Sequence, residues 1–269
     1  MIIATSSEKA IHRRRRQENN PNRMGADGKP TASARTTYIG LDPNEMKVKE
    51  APHPQALSPM AFLVEQDADS VLNPHFHKAD QFQIFVRGDG KMASHEITGV
   101  CIQYTGYCTS YGPIIAGPDG LDYFTLRNNY LAKAYFMPGA REELRTERKE
   151  HQEFEHREVF GDVAAPRSEA ELLKVTSVEA STVIEKTADG LGTWRYFIPP
   201  GQSATGPSPR DGGGQFWMVL SGELEDAKEG TMPKSSCVFV SPEEAPYVAK
   251  AGSKGLDIIV AQFPVKEFH

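Results

Sequence analysis

The stretch Asn73-Pro-His-Phe-His-Lys-Ala-Asp-Gln-Phe-Gln-Ile-Phe-Val-Arg-Gly-Asp-Gly90 decides the fold. His75 and His77 stand two apart, Gln81 follows four residues later, and Gly88 seven after that. From Gln81 to Val86 the residues are apolar, aromatic or amide, which is strand composition. Gly88-Asp89-Gly90 closes the run as a hairpin turn, because these residues tolerate positive φ. On a strand, residues two apart share a face. His75 and His77 therefore meet at one spot if their segment is extended, and Gln81, Gln83 and Phe85 line one face together.

This spacing resembles the first motif of the cupin family, roughly Gly-x5-His-x-His-x3-4-Glu-x6-Gly. His75, His77 and Gly88 match it, Gln81 stands where the family has glutamate, and the leading glycine is replaced by Asp69 or a neighbour. The second motif is roughly Pro-x-Gly-x2-His-x3-Asn. Pro118-Asp-Gly120-Leu-Asp-Tyr123 fits its frame, with Tyr123 in place of the histidine and Arg127 in place of the asparagine. The resemblance implies a jelly-roll barrel more firmly than an intact metal site.

The rest of the chain sets the limits. Its 269 residues, 39% hydrophobic and 25% charged, suit one large or two modest domains. A net charge of −6 gives no footprint for nucleic acid. No apolar run approaches the roughly 18 residues that span a membrane, and no signal peptide follows the N-terminal basic cluster. Cys101, Cys108 and Cys237 are odd in number and lack metal-type spacing, so free thiols and a cytoplasmic location are expected.

Residues 1–36 are polar, with the run Arg13–Arg16, and read as an irregular arm that is solvated or wraps a partner subunit. Residues 37–140 alternate short strand-like runs with Gly, Pro and Asp punctuation, the pattern of a sandwich or barrel. The tripeptide Arg87-Gly88-Asp89 is read as a hairpin tip. Residues 141–170 are heavily charged and rich in helix formers, a partly helical connector. His151 and His156 are five apart there and share no helix face, so both are expected in solvent.

Residues 171–269 repeat the first half faintly. Gln81-Phe82 through Gly88 has an echo in Gln215-Phe216 through Gly222, and Pro118 to Tyr123 one in Pro242 to Tyr247. The expected architecture is all-β: two antiparallel jelly-roll (cupin) barrels joined by the charged connector, a bicupin. In the second half Pro209 and Asp211 take the places of His75 and His77. Proline offers no ligand atom, so that barrel is expected without metal. Gly206 to Gly214 reads as a flexible loop.

Two imidazoles suggest a divalent metal, with iron, zinc, manganese, nickel or copper all admissible. Further ligands would be the Gln81 amide oxygen, a Tyr123 phenolate, or His95 beyond the hairpin. The competing reading is a polar pocket in which the histidines and glutamines bond each other. If Tyr123 faces inward, Thr125 and Arg127 do too. An enclosed Arg127 needs a partner, either a substrate carboxylate or a protein carboxylate; the remaining reading is exposure at the strand end. Gln103, Tyr104 and Tyr111 are further pocket candidates.

Tyr123 and Arg127 are thus the expected catalytic residues, with His75, His77, Gln81 and His95 as metal ligands. The expected function is a metal-dependent enzyme acting on a small, anionic organic molecule. The resemblance puts dioxygenase chemistry first among dioxygenase, isomerase, lyase and hydrolase. The alternative is a non-catalytic bicupin that binds a small ligand or serves a structural role. Phe82, Ile84 and Val86 make the Gln81 strand apolar on its other face as well, which points to a covering layer and a homodimer.

Overall fold

The computed structural model describes residues 1–41, 57–129 and 133–266. The described residues form an all-β protein with every ladder antiparallel, in two compact units. One unit is Arg14–Val163. The other joins Met1–Arg13 to the chain from Ala164 onward.

In the unit Arg14–Val163 the strand Gln81–Arg87 lies between Val100–Thr105 and Leu121–Arg127. Beyond Leu121–Arg127 the sheet continues through Met60–Gln66, Pro30–Ile39 and Arg14–Met24. It then curls on through the short strands Val71–Leu72, Ile114–Ala116, Gly90–Met92 and His95–Ile97. Phe62, Val64, Phe85, Ile114 and Leu121 pack inside it. A separate ladder of two residues pairs His75–Phe76 with Tyr135–Phe136.

The second unit is built around two long strands, Gln215–Asp226 and Val248–Gln262. Gly192–Ile198 and Glu179–Ile184 extend the sheet on one side. Cys237–Val240 extends it on the other, with Ile2–Thr5 added as its edge. The interior is apolar throughout, with Trp217, Val219, Val238, Leu256, Ile258 and Val260 in one cluster.

The internal repeat is real, and its second half differs from the expected one. The structural counterpart of Gly120–Arg127 is Gly255–Gln262, not the segment ending at Tyr247. In each unit the glycine seven residues after the Gln-Phe pair has positive φ and meets the other glycine backbone to backbone. A Cβ on Gly88 would lie 2.0 Å from the Gly120 carbonyl oxygen, and one on Gly222 2.1 Å from that of Gly255. Only glycine fits such an approach. The sequence carries the signal in Gly120-Leu-Asp122 and Gly255-Leu-Asp257. Each aspartate receives an arginine fork: Arg87 on Asp122, and Arg195 on Asp257.

Four further expectations change. Residues 1–36 are no irregular arm: Arg14–Met24 and Pro30–Ile39 are paired strands, and Ile2–Thr5 belongs to the second unit. Of the arginine run, Arg13 ends a short helical turn and Arg14–Arg16 open the strand, with Arg14 and Arg16 on one face bonded to Glu65 and Asp67. The connector is partly helical, as expected, and its helix is packed on the first unit. Leu144 of the helix Arg141–Glu150 packs with Phe76, Tyr107 and Phe154, and Glu158–Val163 adds an edge strand to Val100–Thr105. His151 stacks on Phe154 and His156 bonds the Tyr107 carbonyl, so ring packing holds the first against the unit and a hydrogen bond the second. In the presumed flexible loop, Gly206 packs beneath the Trp217 indole, 2.2 Å from where its Cβ would be. Phe82 and Ile84 are fully buried within the single chain, so that strand supplies no argument for a second copy. The three cysteines are free and buried, and no helix among the described residues is long and apolar enough to cross a membrane.

The two arginine forks differ in worth. Arg195 and Asp257 are 4% and 0% exposed, and Arg195 also bonds the carbonyls of Ala164 and Ala165. Arg87 is 58% exposed. Asp257→Ala, which strands a buried guanidinium, is expected to cost about 3–5 kcal/mol. Asp122→Ala should cost about 1 kcal/mol or less. Urea unfolding of the two variants measures the difference.

Candidate functional site

Inside the unit Arg14–Val163, one directed chain of hydrogen bonds orders the residues around Gln81. Arg127 has only donors, so its Nε and Nη2, 3.0 and 2.7 Å from Gln81 Oε1, fix that atom as the acceptor. Gln81 Nε2 then donates to the Tyr111 hydroxyl at 2.7 Å. The Tyr111 hydroxyl donates to His75 Nε2 at 2.9 Å. His75 Nδ1 donates to the Asn73 carbonyl at 2.8 Å. Every link follows from the one before, and each tautomer and amide orientation is set by it. His77 Nδ1 donates to the Lys133 carbonyl at 2.8 Å, which leaves the lone pair on its Nε2. Among the described residues that nitrogen has no hydrogen-bond partner.

These groups line a cavity of about 250 Å³, just under the roughly 300–1,000 Å³ of drug-sized ligand sites. The parity argument is met, since Tyr123, Thr125 and Arg127 all face it, as do Gln81 and Gln83. Three arginines, Arg23, Arg35 and Arg127, line it as well, and no aspartate or glutamate among the described residues does. Arg23 is 4% exposed, and its Nε and Nη1 have no partner there. Arg35 lies over the Phe62 ring, 4.5 Å from its centroid.

The charge state follows from burial. Desolvation, with Arg127 and Arg23 nearby, pushes the His75 imidazole down to about 4. Burial, then Arg127 and His75, hold His77 well below its usual value. Burial lowers Arg127 to about 10, so it stays charged at neutral pH. The Tyr111 and Tyr123 phenols are raised, chiefly by burial, and keep their protons.

The expected metal ligands do not converge. His75 and His77 are adjacent, ring centroids 5.1 Å apart, but His75 Nε2 is taken by Tyr111 and Gln81 Oε1 by Arg127. Tyr123 is a neutral phenol against Phe85, not a phenolate. His95 lies outside the cavity because its strand pairs with Gly90–Met92 at the end of the sheet. Its ring stacks on Phe160 at 4.0 Å. A dication would face one free imidazole nitrogen and a guanidinium already seated on the amide oxygen, so this donor set does not fit a metal ion. Arg127 bonds the Gln81 amide oxygen, a partner that the sequence did not suggest. Of the other candidates, Tyr111 lines the cavity, while Gln103 bonds the Glu158 carboxylate and Tyr104 packs on Phe82.

Arg23 and Arg35 went unread in the sequence. They sit on the two strands of the hairpin that turns at Asp27-Gly28, where Gly28 has φ +73. The dipeptide Asp-Gly is a hairpin signal. The polar run ahead of it hid the strand.

No protein-family model matches the sequence, and no curated protein matches it. Solved structures do match the fold. One is a candidate dioxygenase from Nostoc punctiforme, 10% identical with a TM-score of 0.53, over 100% of this chain and 85% of that one. Another is the bacterial pirin YhhW from Escherichia coli in complex with nickel(II), 11% identical with a TM-score of 0.51, over 98% and 100%. A third is the 11S globulin from Wrightia tinctoria with an auxin binding site, 11% identical with a TM-score of 0.53, over 94% and 84%. The likeness is one of fold alone: the described residues share the antiparallel, two-unit β fold of these proteins.

The depressed histidines make a pH test. Between pH about 6.5 and about 4 the unfolded chain takes up a proton that folded His75 refuses. Stability is therefore full above the unfolded value and falls as pH drops through this window. The loss is on the order of 3 kcal/mol for His75, with His77 acting in the same direction. Unfolding midpoints at pH 7 and pH 4.5 should show this loss, and His75→Gln, which cannot titrate, should reduce it.

Proposed function

We propose that the barrel of residues 14–163 binds a small organic anion, a carboxylate of a few carbons, in the cavity between Arg23 and Arg127. The observation that carries this reading is Arg23: a guanidinium 4% exposed, facing a cavity, with two N–H groups unpartnered among the described residues. A buried charge left unpaired costs several kcal/mol, and a planar carboxylate matches the fork. Arg35 and Arg127 add positive charge to the same cavity. The bare Nε2 of His77 accepts a hydrogen bond, so the ligand class narrows to small carboxylic acids that carry a hydroxyl or N–H. Gly206, Trp217 and the apolar interior of the second unit leave that barrel as scaffold.

Dioxygenase-type metal chemistry is the second reading. What favours it is the His75–His77 pair, placed where the cupin resemblance puts metal ligands. It requires Tyr111 to release His75 and Arg127 to release Gln81.

One variant separates the two. Gln81→Glu gives Arg127 a carboxylate and cancels a positive charge in the cavity. On the anion reading it weakens binding of the acid. On the metal reading it supplies an anionic ligand and raises affinity for a dication. Calorimetric titration of a panel of small hydroxy and amino acids is expected to find a ligand whose affinity drops about 10- to 100-fold in Arg23→Gln, the worth of charged hydrogen bonds. The same ligand should weaken in Gln81→Glu. Unchanged affinity in Arg23→Gln refutes the proposal. A Gln81→Glu protein that gains a dication and keeps its affinity for the acid selects the metal reading.

A further inference from the structure

A second group of side chains lies apart from the cavity, on three different strands. His95 opens the strand His95–Ile97, Cys101 lies on Val100–Thr105, and Asp162 on Glu158–Val163. Cys101 and Asp162 are direct cross-strand partners, so their side chains leave the sheet on the same face. His95 is brought over them by the hairpin it forms with Gly90–Met92, and its ring is fixed by stacking on Phe160, two residues from Asp162. The Cys101 sulfur, a His95 nitrogen and an Asp162 oxygen all lie within 4.8 Å of one another.

The distances are those of a coordination polyhedron. His95 Nε2 is 3.6 Å from Cys101 Sγ and 3.3 Å from Asp162 Oδ1. In a tetrahedral zinc site with Zn–S of about 2.3 Å and Zn–N and Zn–O of about 2.1 Å, the S–N edge is about 3.6 Å and the N–O edge about 3.4 Å. One ring nitrogen, Nε2, faces both the sulfur and the carboxylate with either one proton or one lone pair to offer, while the buried thiol also reaches the Ile102 carbonyl at 3.9 Å. A cation between the three atoms, displacing the thiol proton, would engage all three at once.

From this we infer that His95, Cys101 and Asp162 form a divalent metal site suited to zinc, with three protein ligands and a fourth position open to water or a small ligand. Thiolate with imidazole selects a borderline-soft ion over magnesium or calcium. Two negative ligands offset the charge of a dication, which the His75–His77 pair does not. Asp162 is 79% exposed while Cys101 is buried, so an ion has a path in from solvent and a sulfur shielded from it. The site is independent of the arginine-lined cavity, and the two proposals stand or fall separately.

The test uses full-length protein stripped with chelator and then titrated with zinc or cobalt(II). The expected result is one zinc per chain. With cobalt, a sulfur-to-metal charge-transfer band should appear in the near ultraviolet. Cys101→Ala should abolish that band, while Cys108→Ala and Arg23→Gln keep it. Cys101 is a core residue and its variant can misfold, so the exposed Asp162→Asn provides the second measure. Its zinc affinity should fall by at least about tenfold, since even the groups that orient a ligand are worth that much. No charge-transfer band in wild-type protein, or equal zinc affinity in wild type and Asp162→Asn, overturns the assignment.

Discussion

The bond from the Arg127 guanidinium to Gln81 Oε1 governs the interior of the first barrel. A guanidinium 2% exposed must be solvated by something, and here an amide oxygen does it. Because arginine cannot accept, the amide has one orientation. The opposite end of Gln81 then donates to Tyr111, Tyr111 to His75, and His75 to a carbonyl. The positive charge of Arg127, after burial itself, also helps keep both histidines neutral. The position where the cupin resemblance implies a ligand glutamate thus holds an amide that is bonded to a guanidinium.

The second barrel shows what the same scaffold does without that charge. Gln215 pairs with Gln262 in the ladder and bonds its side chain at 2.8 Å, the place that Gln81 and Arg127 hold one step beyond the Leu126–Phe82 pair. Moving inward along the two strands, Gln83 and Thr125 of the first barrel correspond to Trp217 and Val260 of the second. The polar pair lines a cavity and the apolar pair fills a core. Two units with one register and the same glycine contacts thus differ in their interiors through a handful of residues. Fold by itself assigns no activity.

Much of this was legible in the sequence because alternation along a strand is a strict rule. Gln81, Gln83 and Phe85 on one face, the turn at Gly88, and Tyr123, Thr125 and Arg127 on one wall all follow from period two. The competing view of His75 and Gln81 as members of a hydrogen-bonded polar pocket came from the same residues. What escaped was non-local. The return of His95 to Cys101 and Asp162 depends on the hairpin from Gly90 to Ile97 and on an edge strand some 60 residues further along the chain, which no spacing encodes. Arg23 was hidden because Arg14–Met24 lacks apolar alternation: its strand is held by pairing to Pro30–Ile39 and by ion pairs to Glu65 and Asp67. The Pro242–Tyr247 echo misled because two matching residues at equal spacing arise by chance, whereas Gly-Leu-Asp recurs where two backbones touch.

The account rests on Arg23 presenting an unpaired charge to the cavity, and an experimental electron-density map tests that most directly. Crystals soaked with a small bromine-bearing carboxylate would mark the anion by its anomalous signal. The account predicts an anomalous peak inside the first barrel, with the carboxylate against Arg23 Nε and Nη1 and Arg127 still bonded to Gln81. A carboxylate of the protein itself seated on Arg23, with no anion in the cavity, would contradict it.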